Sequence, residues 1–284
     1  MKVFATTAKK MPSLYRLAQT LQTGTLSEAR EAVAQAAQSP LFASKGWQVN
    51  LGKLAEALET LSPRFSVFAL GGNSKLPFVA FSSLPGVTCP GAGECLNFCY
   101  SFRAWRYPAA FARQAQNAVL MRFNPDAIAQ AFASLNHAQG FDFRLYVDGD
   151  FASLKDIDFW QCLLRAFPTV RAYGYSKSFA LLLAYEGAWA GNYVLNVSSG
   201  HNATGEMLAR VKALPIVRGE FVAVSIGRKV KSTDHGTIET NKALRQSFGA
   251  KAFPCPGKCG SCTGKGHACG MLALKGLPIV IAVH

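Results

Sequence analysis

Seven of the eight cysteines fall into two tight groups. The first reads Thr88-Cys89-Pro-Gly-Ala-Gly-Glu-Cys95-Leu-Asn-Phe-Cys99-Tyr100, three thiols within eleven residues. The second reads Cys255-Pro-Gly-Lys-Cys259-Gly-Ser-Cys262-Thr-Gly-Lys-Gly-His-Ala-Cys269, four thiols within fifteen residues. Thiolates are soft, charged metal ligands. A loop kept pliable by glycine and proline can wrap several of them around one centre, whereas a regular strand would point them to opposite faces. Four thiols make a closed site, of the kind that zinc and iron–sulfur clusters both accept. Three thiols leave one coordination position open for a substrate, a cofactor or water. Alternatively the two segments exchange ligands and build one shared site. The spacing therefore predicts metal binding by Cys89, Cys95 and Cys99 and by Cys255, Cys259, Cys262 and Cys269, as one or two [4Fe-4S] clusters, with zinc as the alternative. His267 is read as a spectator on its glycine-rich loop rather than as a zinc ligand. Cys162 stands alone in the apolar run Phe159-Trp-Gln-Cys-Leu-Leu and is expected to be a buried structural thiol.

Such loops need a scaffold. From Phe143 onward strand and helix signals alternate: strands at 143–147, 170–173, 193–197, 221–224 and 278–283, helices at 153–167, 179–189, 204–214 and 237–248. Repeated β–α units imply parallel strands joined by right-handed crossovers. The expectation is an α/β fold, a complete or partial parallel β/α barrel, with an open doubly wound sheet as the second choice. Ahead of it, residues 1–64 read as a helical N-terminal segment, with helices at 13–20, after Thr25 and at 51–61. Residues 65–284 read as the α/β metal-binding domain, ending in the cysteine-rich C-terminal loop at 255–269. Two short strands, 66–70 and 77–81, flank a Gly-Gly-Asn turn, and helices at 107–123 and after Asn124-Pro125-Asp126 follow the first thiols.

In parallel α/β folds ligand sites lie at the carboxyl ends of the strands. The residues just after each strand are therefore the candidates: the first cysteine group; Asp148, Gly149 and Asp150; Ser176 and Lys177; Ser199 and Asn202. Asp148, Asp150 and Lys177 are the candidate catalytic groups, and Gly149, Ser176, Ser199 and Asn202 the candidate cofactor contacts. These segments are expected to share one rim. Ser225 is read as an ordinary turn residue.

Composition bounds the rest. Half of the 284 residues are hydrophobic, with 20 Phe, which suits a large core and excludes a disordered chain. No stretch approaches the roughly 18 apolar residues of a membrane helix, and no secretory signal is seen, so a soluble, cytoplasmic protein is expected. Clustered cysteines in such a chain suggest metal rather than disulfides. Thirty Lys and Arg against 16 Asp and Glu give a net charge of +14. Such a surface attracts DNA or RNA without choosing a sequence. The basic residues are scattered, however, and the densest run is Arg228-Lys229-Val230-Lys231, so simple solubility is an equal reading. Oligomeric state is not legible.

The cysteine segments, with Gly149-Asp150-Phe151 and Tyr175-Ser176-Lys177-Ser178 between them, resemble an uncharacterised family of phage and plasmid proteins, gene product 88. The resemblance runs over about residues 85–270 by motif order and implies a mobile-element origin, but no activity. More distantly, three cysteines after an early strand, with Phe98 before the last, resemble radical S-adenosylmethionine enzymes. That likeness implies a β/α barrel, a [4Fe-4S] cluster with one open iron, S-adenosylmethionine held near Gly149-Asp150, and an auxiliary cluster at 255–269. The loop here is Cys-x5-Cys-x3-Cys, longer than the Cys-x3-Cys-x2-Cys of those enzymes.

Overall fold

A computed structural model describes residues 10–71, 76–228, 230–231, 233–260, 262–263 and 266–283. The capping box at Thr25 forms as its spacing predicts: Thr25 Oγ1 accepts from the Glu28 amide at 3.2 Å while Glu28 Oε2 accepts from the Thr25 amide at 2.6 Å. It starts α2 (Leu26–Gln38), between α1 (Met11–Thr23) and α3 (Lys45–Thr60). Leu51, Leu54 and Leu58 on one face of α3 are buried. They pack with Leu14, Leu17 and Leu21 of α1 and with Phe111 and Ala115 of α4 (Pro108–Phe123). The N-terminal helices thus share a core with α4, and Arg122 of α4 donates to the carbonyls of Leu21 and Gly24 at 2.7 and 2.8 Å. Pro125 opens α5 (Pro125–Ala133), but the Asn124 side chain does not cap it and instead donates to Leu61 O at 2.9 Å.

β1 (Phe68–Leu70) runs antiparallel to β2 (Val79–Phe81); most of the Gly-Gly-Asn turn between them lies outside the described residues. Parallel strands follow in sequence order: β3 (Asp142–Leu145), β4 (Arg171–Ser176), β5 (Tyr193–Ser198) and β6 (Val217–Val224). Their connections carry α6 (Leu154–Ala166), α7 (Phe179–Ala184) and α8 (Gly205–Lys212), and α9 (Ile238–Phe248) follows β6. The expected helix at 179–189 stops at Ala184; beyond it Tyr185 packs edge-on to Trp189 in a loop.

The chain then closes the sheet with β7 (Phe253–Pro254) and β8 (Ile279–Ala282), giving the order β1-β2-β3-β4-β5-β6-β8-β7. This corrects the expected barrel: the sheet is open. Closure would require the first and last parallel strands to pair. Here β2 is already occupied on its outer side by the antiparallel β1, and β8 by the two-residue β7.

The two faces of the sheet differ. Phe143, Leu145, Ala172, Tyr193, Leu195 and Val197 alternate onto one face and bury the helices, among them Trp160 and Leu164 of α6. Tyr173, Tyr175, Val194, Phe221 and Ile279 point the other way, against Cys255, Cys262, Ala268 and Cys269. The C-terminal cysteine segment therefore lies on the face opposite the helices. The register slips between Leu195 and Asn196, whose partners are Val217 and Gly219. Arg218 is thus the extra residue of a bulge, which re-aims a side chain. Among the described residues no helix is long and apolar enough to cross a membrane.

Candidate functional site

The strand ends of β2 to β5 meet around the first thiol loop. The Ser83 amide donates to Asp148 O at 2.9 Å, joining the turn after β2 to the turn after β3. Gly149 adopts φ +84°, and a Cβ there would stand 2.7 Å from Thr88 Oγ1, so glycine lets the two turns touch. The Asn202 amide donates to Gly91 O at 3.1 Å, and the amides of Gly93 and Cys95 both donate to Gly200 O, at 3.0 and 3.1 Å. The predicted shared rim is present for these four strands. Among the described residues Ser225, after β6, makes no such tie.

The rim carboxylates are occupied. Asp150 Oδ2 accepts from the Lys177 amide at 2.7 Å and its Oδ1 from the Phe151 amide at 2.8 Å. Burial pushes this carboxyl up, and the bonds from Lys177, Ser176 and Phe151 pull it back in part. Asp148 Oδ2 accepts from Gln114 Nε2 at 2.9 Å, and Gln114 in turn accepts from Trp105 Nε1 at 2.8 Å. Burial raises Asp148 as well, opposed by Ser101 and then by Arg144. Lys177 Nζ donates to Ser198 Oγ at 2.8 Å and lies close enough to Cys89 to favour its thiolate. Burial outweighs that and holds the Cys89 thiol well above its ordinary value, with Asp150 adding to it. Cys99 is likewise raised, first by burial, with smaller contributions from Cys95 and Asp148.

The candidate cofactor contacts divide. Ser176 is buried and accepts from the Ser178 amide at 3.0 Å. Ser199 Oγ accepts from the Ala223 amide at 2.9 Å, which ties β5 to β6. Asn202 Nδ2 reaches Pro90 O at 3.4 Å, steadying the thiol loop. Each of the three steadies backbone in this structure, and Ser176 also bonds to the Asp150 carboxylate.

The second thiol group lies at mid-strand height, against the sheet face. The Cys255 amide joins the ladder by donating to Val280 O at 2.7 Å. Two thiols accept from amides, Cys255 from Gly257 at 3.4 Å and Cys262 from Ala268 at 3.3 Å. Cys255 is pushed up to about 11 and Cys269 to about 12, in both cases first by burial. Cys259 and Cys262 add to the rise at Cys255, and Cys255 and Cys259 to that at Cys269. The strongest charges on Cys89 and Cys99 come from their own group and the rim. Arg144 reaches toward both groups, with Nη1 4.0 Å from Cys259 Sγ and a side-chain hydrogen bond to Tyr100, the neighbour of Cys99.

Three polar strand residues on that face were not singled out from the sequence. Arg218 is fully buried. It donates to Asn196 Oδ1 at 2.7 Å and to the carbonyls of Leu274 and Leu277 at 3.1 and 2.7 Å. Asn196, also buried, donates to Cys269 O at 2.9 Å. Arg144 lies with its guanidinium 4.9 Å from the Tyr175 ring centre and Nη1 4.0 Å from Cys259 Sγ. Its Nε is buried with no hydrogen-bond partner among the described residues, and the Tyr173 hydroxyl lies beside Cys259. Neither arginine has a carboxylate at ion-pair distance among the described residues. The available signal was a charged residue alternating with apolar ones in Phe-Arg-Leu and Val-Arg-Gly.

One expectation is corrected. Cys162 is exposed on α6, where it accepts from Arg165 Nη2 at 3.1 Å; its helical neighbours Trp160, Gln161, Leu163 and Leu164 take the buried face. His267 packs into the sheet face. Its ring packs 4.3 Å from Tyr173 and 4.9 Å from Phe78, Nδ1 accepts from the Gly270 amide at 3.1 Å, and Nε2 faces Asp142 at 3.9 Å.

As the side chains stand, no three His, Cys, Asp or Glu groups among the described residues are arranged to hold a metal ion. The donor chemistry on the sheet face nonetheless fits an anionic centre. Four thiols lie among one fully buried cation, a second cation with an unpaired buried Nε, and amide donors to sulfur. Buried charges are normally paired or coordinated.

The family model described as gene product 88 matches residues 49–271. The match begins inside α3, well ahead of the motifs at 85–270, and takes in both thiol groups. No curated protein and no solved structure matches the chain.

Proposed function

As the chain belongs to the gene product 88 family, we propose that it is an iron–sulfur protein of a mobile element, with a four-thiol centre on the sheet face and a three-thiol centre at the rim. The observation that carries this reading is Arg218, a fully buried cation beside Cys269 with no carboxylate partner among the described residues. A metal centre held by Cys255, Cys259, Cys262 and Cys269 is anionic and offsets Arg218 and Arg144 together. Zinc and a [4Fe-4S] cluster both satisfy that charge argument.

Cys89, Cys95 and Cys99 form the candidate reaction centre, because they stand at strand ends and leave a ligand position free. A [4Fe-4S] cluster there would supply one-electron reduction, and S-adenosylmethionine is the cofactor suited to its open iron. The chain's own groups act around it. Asp150 holds the Lys177 backbone, Lys177 presents an ammonium beside Cys89, and Gly149 lets the Asp148–Asp150 turn sit against Thr88. Lys177 is accordingly the group placed to receive a carboxylate or another anion.

Protein purified without oxygen is expected to carry iron and acid-labile sulfide in equal amounts, with charge-transfer absorption that dithionite bleaches. After reduction, S-adenosylmethionine is expected to yield 5′-deoxyadenosine. Zinc without sulfide would overturn the iron–sulfur reading. A fourth protein ligand on the rim centre, such as Cys255 or His267, would overturn the open-site reading.

A second reading, favoured by the net charge of +14, is nucleic-acid binding with structural metal sites. Binding to DNA or RNA then weakens steeply with salt, because each phosphate contact releases counterions.

A further inference from the structure

The residues after Cys99 form a 3-10 helix, Tyr100–Arg106. Its three-residue turn eclipses residues three apart, so Tyr100, Arg103 and Arg106 line one edge. The buried residues of the segment, Ser101, Phe102 and Trp105, turn inward; Phe102 and Trp105 join the core shared by the N-terminal helices. Three aromatic rings keep exposed surface: Phe98 at 40 %, Tyr107 at 68 %, and Tyr100 at 49 %, whose hydroxyl is tied inward to Val147 O at 3.3 Å and to Arg144 while its ring edge stays open. Arg103 and Arg106 are exposed too, and neither has an ion-pair partner among the described residues. No acidic residue occurs between Glu94 and Asp126, whereas Arg103, Arg106, Arg113 and Arg122 do. Beyond Tyr107, a Cβ on Gly46 would stand 3.7 Å from Pro108, which places the start of α3, with the exposed Lys45, near this end.

Exposed aromatic surface beside guanidiniums that have no ion-pair partner among the described residues is costly for solubility, and Phe98 and Tyr107 make no ring contact with another described residue. They match what a single-stranded nucleic acid requires: rings on which bases stack and cations that meet phosphates. Duplex DNA hides its base faces and would leave the rings unused. We propose that the edge formed by Phe98, Tyr100, Arg103, Arg106 and Tyr107 is a track for single-stranded nucleic acid, leading to the rim beside Cys99. This rests on the nucleic-acid reading above and is independent of the metal at either thiol group.

The test is fluorescence anisotropy of the full chain with labelled single-stranded DNA, single-stranded RNA and blunt duplex DNA at several salt concentrations. The wild type is expected to favour the single strands. Tyr107→Ala weakens binding about tenfold, within the range measured for loss of one stacked base, and Tyr107→Phe restores it. The double variant Arg103→Ala/Arg106→Ala lowers the slope of log K against log salt by about 1.4, at about 0.7 per phosphate contact. Lys242→Ala/Arg245→Ala, which removes two cations from α9, leaves that slope unchanged. All these positions are exposed, so melting curves should superimpose. Absence of binding by the wild type at low salt would overturn both the track and the nucleic-acid reading. Equal slope losses from the two double variants, or equal affinity for duplex, would overturn the track alone and leave a diffuse basic surface.

Discussion

Gly91→Ala is expected to lift the first thiol loop off the strand ends. A Cβ at this position would fall on the carbonyl of Lys177, at a separation no atoms can share. The obstacle is backbone, so no rotamer relieves it. Gly93 is nearly as confined, with His201 O 2.7 Å from the corresponding point. If the loop moves, the bonds from Asn202 to Gly91 and from Gly93 and Cys95 to Gly200 go with it. Ordinary overpacking of a side-chain core costs about 1–3 kcal/mol. A backbone-on-backbone clash should exceed about 3 kcal/mol, or roughly 6–12 °C in melting temperature at about 2–4 °C per kcal/mol. Gly52→Ala is the matched control, since nothing lies within 4 Å of its Cβ on the exposed face of α3; there alanine should stabilise by about 0.5–1 kcal/mol. Labelling of Cys89, Cys95 and Cys99 by a thiol reagent should quicken in Gly91→Ala. Unchanged melting with unchanged labelling would mean that the loop does not sit on the turn after β4.

Cys259→Ser should remove most of what metal contributes to the C-terminal half. Metal binding to a site that exists only in the folded chain is folding energy. At a free metal concentration about a thousand times the dissociation constant, that linkage is worth about 4 kcal/mol. The serine variant should therefore melt close to the metal-free wild type, with its metal content reduced at this site. Without metal the two proteins should differ little, because Cys259 is only half-buried and its polar neighbours, Arg144 Nη1 at 4.0 Å and the Tyr173 hydroxyl, can meet a serine oxygen as well as a thiol. That contrast separates a ligand from a packing residue, which would cost the same with or without metal. Full metal content and an unchanged metal-dependent melting shift in Cys259→Ser would exclude a four-thiol centre.

Signals that act within a few residues were legible before any coordinates. The capping box at Thr25, the leucine face of α3 and the alternation of strands and helices after Phe143 all depend on local spacing. The shared rim was legible too, because parallel strands deliver their carboxyl ends to one side. Barrel closure was not, since it depends on which edges remain free once β1 and β7 have paired. Arg144, Asn196 and Arg218 escaped notice for a related reason. Each lies inside a strand whose apolar neighbours dominate the pattern, and only the sheet's second face reveals what the polar residue meets. The bulge that turns Arg218 is a register slip between β5 and β6, invisible in either strand alone. Cys162 was misplaced because one residue along a helix is about 100°, enough to move a thiol from core to solvent.

The sequential strand order also sets a timetable for synthesis. Every group that frames the rim, from Ser83 to Asn202, leaves the ribosome before Cys255, which lies 53 residues beyond Asn202. At about 5–20 residues per second this is an interval of roughly 3–10 s. Throughout it Arg144, Tyr173 and Tyr175 lack the segment that covers their face of the sheet. The rim can therefore assemble on a nascent chain, while the face waits for the last strands to arrive. Any metal that binds the two thiol groups meets the group of three first and the group of four last.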